Sequence, residues 1–273
     1  MTKKQKQLCE NILAWYGVYG RDLPWRHTRD PYKILISEVM LQQTQVSRVI
    51  EKYKEFLRAF PNTKKLADAK TGDVITAWKG LGYNRRALFL QRTAQAVRSE
   101  FGGRFPHTRE ELKSLPGIGE YTARAVLSFS FGQVTPVLDT NHRKFYQKTF
   151  FGDGIQTDDL LLSQAEDVVQ WIARAHGDAS VYDWNQALMD WVSAHPELYV
   201  LPKKAKKKAV PFKQTDRYIR GKIIDLLREK SHVSEHAIRV LFPEHSPERL
   251  DKVLKTLETD QLILRKKRSI LLP

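Results

Sequence analysis

The sequence predicts a mainly α-helical protein that ends in a small α+β domain. Apolar residues recur at helical spacing through most of the first 195 residues, and strand signals are almost absent before residue 260. The C-terminal stretch LILRKKRSILLP instead contains two short apolar strands around a basic turn. We therefore expect a helical domain over residues 1–195, a basic linker over residues 196–215 and a second domain over residues 216–273.

The charge of the chain favours a polyanionic partner. The 46 Lys and Arg residues outnumber the 31 Asp and Glu residues, and the formal net charge is +15. Such an excess attracts nucleic acid first and an anionic membrane surface second. No apolar run approaches the ~20 residues of a membrane span, and the N-terminal stretch is too polar for a signal peptide. We expect a cytoplasmic monomer, nucleoid-associated in a prokaryote, that does not bind membranes.

The single cysteine, Cys9, limits the cofactors that the chain can hold. One cysteine forms no disulfide within the chain and cannot supply a four-cysteine zinc or iron–sulfur site. A reducing intracellular compartment is consistent with this composition. We expect a protein without a metal ion or other cofactor.

The second predicted helix carries a carboxylate in apolar surroundings. After a helix over residues 3–17 and a loop, Asp30–Pro31 starts a helix from about Tyr32 to Val49 that is heavily apolar. Glu38 lies inside it, and a buried carboxylate costs several kcal/mol unless it is paired or protonated. Glu38 is therefore either a structural residue that caps a helix or bonds a hydroxyl, or an acid with a function.

Two turns with polar or aromatic residues separate the next helices. The amide-rich segment Gln42–Gln45 can contact base edges or coat the exit of a helix. The turn Gly80–Tyr83 places an aromatic residue beside Arg85 and Arg86, which suits wedging or stacking against bases, with simple packing as the alternative. Helical patterns cover residues 48–60, 63–70, 71–79 and 85–100.

The stretch from Leu115 to Asn141, LPGIGEYTARAVLSFSFGQVTPVLDTN, organises the rest of the chain. Gly117 and Gly119 form a hairpin between two short helices, and glycines at a helix N-terminus let backbone N–H groups approach an anion. We expect this hairpin to bind a DNA phosphate and to set Asp139 beside a sugar. Because Asp139 also begins a helix, a simple N-cap is the alternative.

The C-terminal part is predicted to be a basic linker followed by a small DNA-binding domain. Eleven Lys or Arg residues against three acids lie between Lys203 and Lys230, a density suited to phosphate contacts. Three helices and a terminal hairpin resemble a winged helix, whose wing is the turn formed by Lys266, Lys267 and Arg268. Helices are expected over residues 139–149, 157–175, 183–194, 216–230, 234–241 and 247–259.

Several motifs together resemble a family of repair enzymes. LPGIGEYTA followed by VLDTN is similar to the helix–hairpin–helix DNA glycosylase superfamily. LPWRHTRDPYKILISEVMLQQTQVSRVI, GLGYNRRA and WNQALMDW resemble its adenine DNA glycosylase branch, the MutY-type proteins, over about residues 5–194. The resemblance implies two helical lobes with a cleft. It also implies excision of adenine mispaired with 8-oxoguanine or guanine in duplex DNA.

The resemblance also implies roles for individual residues. Glu38 matches the general acid that protonates N7 of the flipped adenine, and Asp139 the aspartate that stabilises or captures the oxocarbenium-like sugar. Asn141 matches a residue that supports these carboxylates, and Tyr121 one that borders the sugar. The adenine pocket would be lined by Trp25, Arg26, Val46 and Asp190. Gln43 and Tyr83 would enter the base stack, and Thr44 and Leu81 would contact the 8-oxoguanine side.

Elementary chemistry agrees with these roles. Adenine is a poor leaving group as an anion, so its departure needs a proton from an acid with a raised pKa, which a buried Glu38 provides. A fixed anion at Asp139 would stabilise positive charge on the sugar. The bifunctional relatives carry a Schiff-base lysine where this chain has Tyr121, and tyrosine cannot form that adduct. We therefore expect a glycosylase without efficient strand cleavage.

The sequence departs from the family in two places. Four cysteines that hold a [4Fe–4S] cluster in the family are absent after the last helix of the first domain, and Leu198, Tyr199, Val200 and Leu201 are expected to pack there instead. The tail resembles a winged helix and not the Nudix-like domain of many members, which leaves the preference for 8-oxoguanine open. Alternative functions are a thymine or uracil glycosylase acting on mismatches with guanine, and a non-catalytic DNA-binding module.

Overall fold

A computed structural model describes residues 1–202, 210–267 and 269–273 and confirms the mainly helical fold with a small C-terminal sheet. The helices are α1 (Lys3–Tyr19), α2 (Pro31–Leu41), α3 (Val46–Ala59), α4 (Thr63–Ala67), α5 (Thr71–Ala77), α6 (Arg85–Glu100), α7 (Arg109–Ser114), α8 (Glu120–Phe129), α9 (Thr140–Tyr146), α10 (Asp158–His176), α11 (Ser180–Ala194), α12 (Asp216–Glu229), α13 (Glu235–Leu241) and α14 (Pro247–Thr259). The strands are β1 (Val233–Ser234), β2 (Leu264–Lys266) and β3 (Ser269–Leu271).

Most predicted helices are present within a few residues of their expected ends, but the second one is shorter than predicted. α2 ends at Leu41, and Gln43 adopts a left-handed conformation with φ of 56° before α3 begins. The carbonyl oxygens of Val39, Met40 and Gln42 accept hydrogen bonds from the guanidinium of Arg86. A helix end leaves carbonyl groups without partners. A side chain 44 residues further along the chain satisfies them here, which local sequence does not reveal.

Contacts divide the chain into two compact units that alternate along the sequence. In the described residues, the first unit comprises residues 1–38 and 105–202, and the second comprises residues 39–104 and 210–273. The first unit is built around a core of large aromatic side chains, including Phe145, Tyr146 and Trp184, with α1, α10 and α11 packed on it. It contains the glycine hairpin and the residues predicted to be catalytic.

The second unit joins α3–α6 to the C-terminal domain. Ile75 and Leu88 lie in the same hydrophobic core as the apolar faces of α12 and α14. Arg228 donates to the carbonyl of Ile75, and the backbone N–H of Gly72 donates to the carbonyl of Pro273 at 2.7 Å. The C-terminal domain is thus packed on these helices. The division of the chain into residues 1–195, 196–215 and 216–273 remains a prediction.

The C-terminal domain has the winged-helix arrangement that the sequence predicts. β3 lies between β1 and β2 and is antiparallel to both, and the three strands pack with α12, α13 and α14. The short strand β1 was not expected, because two residues are too few to show a periodic pattern. Lys266 ends β2, and Lys267 has φ of 54° in the turn to β3. Arg268 and the lysines of residues 203–209 lie outside the described residues.

Within the described residues, none of the helices combines the length and the apolar character that a membrane span requires.

Candidate active site

The predicted phosphate-binding hairpin joins α7 to α8 in the first unit. Leu115 and Ile118 are buried and anchor it, and Gly117 has φ of 78°, a conformation that disfavours other residues. Gly119 caps α8, and a side chain at this position would meet no atom within 4 Å. The backbone N–H groups at the start of α8 are therefore open to an approaching anion, which favours the predicted phosphate contact.

The hairpin also delivers Tyr121 to the buried carboxyl group on α2. The hydroxyl of Tyr121 donates a hydrogen bond of 2.6 Å to Oε2 of Glu38, which is only 4% exposed. Burial raises the pKa of Glu38 to about 7, and the negative charge of Asp139 adds to this effect. The hydrogen bond from Tyr121 and the charge of Arg26 oppose it. At neutral pH a large fraction of Glu38 is therefore protonated and able to donate a proton.

Asp139 is held in the opposite protonation state. Its carboxylate caps α9, accepting hydrogen bonds of 2.8 Å from the backbone N–H of His142 and 2.7 Å from Nδ1 of that residue. Burial alone would raise its pKa, but His142 and the backbone N–H of Asn141 outweigh burial and lower the pKa of Asp139 below its usual range. The site thus combines an acid that keeps its proton near pH 7 with a carboxylate that stays ionised.

His142 is a residue of this site that the sequence did not single out. Its ring is fully buried, and Nε2 has no hydrogen-bond partner among the described residues. With a proton on Nδ1, the ring donates the 2.7 Å hydrogen bond to the carboxylate of Asp139. The sequence could have indicated this role, because His142 follows the N-cap residue Asp139 by three positions, close enough for a hydrogen bond to it. His142 is therefore a positioning residue for Asp139.

His142→Phe is expected to slow any reaction that depends on ionised Asp139. Losing a hydrogen bond to a charged group costs about 1.5–3 kcal/mol, or roughly 10- to 160-fold in rate. The pKa of Asp139 should rise, so the acidic limb of the single-turnover pH–rate profile should move to higher pH. His142→Gln, which keeps a donor, is the control and should restore part of the rate. An unshifted acidic limb in His142→Phe would contradict the positioning role.

In the part of the chain that the structure describes, the side chain of Asn141 forms its hydrogen bonds with α11 and with neither carboxyl group. Its Nδ2 donates to the carbonyl of Met189 at 2.9 Å and to Oγ of Ser193 at 3.0 Å, both on α11. The amide thus fixes α9 against α11, and the support that Asn141 gives to Asp139 comes from its backbone N–H.

A buried ion-pair network lies in the same unit. Asp190 on α11 accepts two hydrogen bonds of 2.8 Å from the guanidinium of Arg26 and further bonds from the backbone and side chain of Arg21. Gln186 accepts a third bond from Arg26, and Trp25 is buried beside it in the chain. Although burial alone would raise it, these hydrogen bonds hold the pKa of Asp190 below its usual range. The structure thus brings together three residues predicted to line the base pocket.

The residues predicted to enter the DNA stack belong to the second unit, as does Val46 at the start of α3. Gln43 and Tyr83 both have positive φ, 56° and 46°, which is unfavourable for residues other than glycine. Such strain persists only where the surroundings impose it, and it recurs at functional sites.

Arg86 is what imposes the conformation of these turns. Its buried guanidinium donates to the carbonyls of Gln42, Leu81 and Gly82 and to Oγ1 of Thr44. One side chain therefore holds both turns together, and with them all four predicted residues: Gln43, Thr44, Leu81 and Tyr83. The sequence did not predict this role of Arg86, because an arginine in the first turn of a helix gives no sign that its side chain binds distant backbone carbonyls.

Comparison with known proteins shows similarity to DNA repair proteins over most of the chain. The HhH-GPD superfamily of base excision DNA repair proteins matches residues 36–170, a span that contains Glu38, Tyr121 and Asp139. The adenine DNA glycosylase of Mycobacterium tuberculosis is 32% identical over 276 residues, which cover 93% of this chain and 90% of that protein. The chain belongs to the MutY-type branch of the HhH-GPD superfamily. The resemblance inferred from the motifs is thereby confirmed.

Solved structures of superfamily members share the fold. A thermostable thymine-DNA glycosylase superimposes with a TM-score of 0.60 at 30% identity, over 69% of this chain and 86% of that one. A trapped covalent intermediate of endonuclease III with DNA superimposes with a TM-score of 0.58 at 20% identity, over 76% of this chain and 90% of that one. This HhH-GPD protein is thus a DNA glycosylase of base excision repair, and DNA is its partner.

The iron–sulfur cluster that the MutY-type resemblance implies does not fit the residues of this chain. Cys9 is the only cysteine in the sequence, and burial raises the pKa of its thiol to about 12. After α11, Tyr199 packs into the core of the first unit and its hydroxyl accepts a 2.8 Å hydrogen bond from Trp191. Leu198 and Val200 are exposed, contrary to the expectation that they pack there.

Proposed function

We propose that this protein is a monofunctional adenine DNA glycosylase that removes adenine mispaired with 8-oxoguanine or guanine. The observation that carries the proposal is the pair formed by Glu38 and Asp139, two carboxyl groups whose surroundings shift their pKa values in opposite directions. Such a pair suits a reaction that needs a proton donor and a fixed anion in one site. The similarity to a named adenine DNA glycosylase over nearly the whole chain supports adenine as the base.

The reaction breaks the bond between N9 of adenine and C1′ of the sugar. The flipped base enters the pocket, and Glu38 gives its proton to N7, so that adenine leaves as a neutral molecule. The electron pair of the broken bond goes to the base and leaves an oxocarbenium-like sugar, whose positive charge is stabilised by ionised Asp139. Water then adds to C1′ and gives a proton to the carboxylate of Glu38, which restores the acid and leaves an abasic site.

Tyr121 tunes the acid in this mechanism. Its hydroxyl holds Oε2 of Glu38 at 2.6 Å, which fixes the carboxyl group and keeps its pKa from rising further. A proton donor works best when its pKa lies near the working pH, and a pKa of about 7 meets that condition.

The substrate is tested with four duplexes that differ only in one pair. The pairs are A:8-oxoguanine, A:G, T:G and U:G, and each duplex is incubated with protein and then cleaved at abasic sites with alkali. We expect cleavage at adenine in the first two duplexes and none at thymine or uracil. Cleavage confined to T:G or U:G would contradict adenine as the base, and binding without cleavage of any duplex would contradict a catalytic role.

A thymine glycosylase acting on T:G mispairs is the second candidate. It is favoured by the similarity to the thermostable thymine-DNA glycosylase, which at 30% identity is the strongest of the structural comparisons described above. The duplex assay separates the two functions directly.

We expect no efficient strand cleavage after base removal. A lyase needs an amine that forms a Schiff base with the abasic sugar, and the position of that lysine is taken here by Tyr121, whose hydroxyl is occupied by Glu38. Incubation of abasic duplex with protein and borohydride should trap little covalent adduct. A high yield of trapped complex would contradict the monofunctional assignment.

A further inference from the structure

The second unit contains a groove that neither the catalytic chemistry nor the wing explains. A cavity of about 780 Å³ lies between the start of α6 and helix α12 of the winged-helix domain. This volume falls within the usual range for small-molecule sites. Aromatic, cationic and apolar side chains line it, among them Tyr83, Phe89, Phe212, Arg217, Leu257 and Leu262.

Arg217 is the central cation of this groove. Its guanidinium lies 5.4 Å from the ring centre of Tyr83 and 5.1 Å from that of Phe212, and it donates a 2.5 Å hydrogen bond to the hydroxyl of Tyr83. In the described part of the chain no carboxylate pairs with Arg217, whereas its neighbours Arg85 and Arg220 both pair with Asp260. Arg217 therefore offers an uncompensated positive charge and further N–H donors to an anion.

The aromatic walls of the groove are exposed. Tyr83 is 42% and Phe212 53% exposed, although burying such rings is favourable. Tyr83 is also held in a strained left-handed conformation by the turn that Arg86 organises. Two exposed rings beside a guanidinium that has no carboxylate partner among the described residues match the two chemical parts of a nucleotide, because bases stack on aromatic side chains and arginine binds phosphate.

We propose that this groove binds one nucleotide of the DNA at the point where Tyr83 enters the base stack. The base stacks on Tyr83 and Phe212, and the phosphate is bound by Arg217. The winged-helix domain then contacts DNA through α12 as well as through its wing, and Arg217 also fixes the ring of Tyr83. This inference rests on the proposed function, a glycosylase that binds duplex DNA, and on the prediction that Tyr83 enters the base stack.

The test measures binding in the Glu38→Gln background, so that the substrate stays intact. Affinity for a duplex with one A:8-oxoguanine pair is measured by fluorescence anisotropy over a range of salt concentrations. We expect Phe212→Ala to weaken binding about 5-fold or more with an unchanged salt slope, because it removes stacking. Arg217→Gln should weaken binding at least as much and reduce the salt slope by about 1, because it removes one phosphate contact.

Lys222→Gln is the matched control, since Lys222 is an exposed cation of α12 that does not line the groove. Equal losses in Lys222→Gln and Arg217→Gln would reduce the effect to general electrostatics and overturn the proposal. Unchanged affinity in both Phe212→Ala and Arg217→Gln would overturn it as well. Thermal melting of each variant confirms that it is folded.

Photocrosslinking identifies the nucleotide. 5-Iododeoxyuridine is placed one position to either side of the 8-oxoguanine that faces the target adenine, and the crosslinked peptides are mapped by mass spectrometry. Crosslinks to Phe212 from one position support the groove, and their absence from both positions overturns it. Wild-type excision on the same four duplexes is scored separately. If adenine is not excised but the crosslinks form, the proposed function has failed and the groove stands. If adenine is excised but no crosslinks form, the groove has failed and the proposed function stands.

Discussion

Glu38→Gln is expected to slow adenine excision about 10²- to 10⁴-fold while DNA affinity stays close to that of the wild type. Glutamine keeps an oxygen that accepts the hydrogen bond from Tyr121, but it has no proton to give to N7 of the base. Single-turnover excision and anisotropy binding on one duplex measure the two effects separately.

The matched control is Glu51→Gln, because Glu51 is an exposed carboxylate on α3. Its excision rate should stay near that of the wild type. In the wild type, the rate should fall as pH rises through about 7, because deprotonated Glu38 cannot act as an acid. A rate for Glu38→Gln within about threefold of the wild type would remove Glu38 from the proton transfer.

The same substitution is expected to stabilise the protein at high pH. The pKa of Glu38 is about 7 in the folded chain and 4.5 in the unfolded chain, so between these values the folded state holds a proton that the unfolded state has lost. The free energy of unfolding of the wild type therefore falls with rising pH across this window. Below pH 4.5 Glu38 carries a proton in both states, and it no longer makes the free energy of unfolding depend on pH.

Glutamine has no charge, so the Glu38→Gln variant lacks the free-energy cost of burying an ionised carboxylate. Its advantage over the wild type should be small at pH 5 and reach about 3 kcal/mol above pH 7. Urea denaturation of both proteins at pH 5 and pH 8 measures the difference. An advantage that is the same at both pH values would show that burial of the charge is not its cause.

Asp190→Ala is expected to destabilise the protein by about 3–5 kcal/mol. Removing the carboxylate leaves the guanidinium of Arg26 buried with its main partner missing. Breaking one half of a buried ion pair costs more than the pair contributes, because the remaining charge stays desolvated.

Chemical denaturation measures this loss, with Asp178→Ala as the control because Asp178 is an exposed aspartate. The control should stay within about 0.5 kcal/mol of the wild type. A similar, small change in Asp190→Ala would show that Arg26 finds other partners, such as the carbonyl of Arg21 and the amide of Gln186.

Secondary structure was largely predictable because it depends on local patterns. Apolar residues at helical spacing and N-cap residues can be recognised in the sequence. The helices that follow Thr108 and Ser246 begin where these N-cap residues predict. The break after Leu41 was not predictable. It depends on Arg86, which is distant in sequence and supplies the hydrogen bonds that the ending helix needs.

The sequence by itself determined the family and the types of residue at the site. The hairpin with Gly117 and Gly119, and the motifs around Glu38 and Asp139, are contiguous stretches that can be read without coordinates. Tertiary structure alone decided how those residues are tuned. A pKa depends on burial and on charges brought near by folding. Burial raises the pKa of Glu38 to about 7, and the contacts with His142 lower the pKa of Asp139.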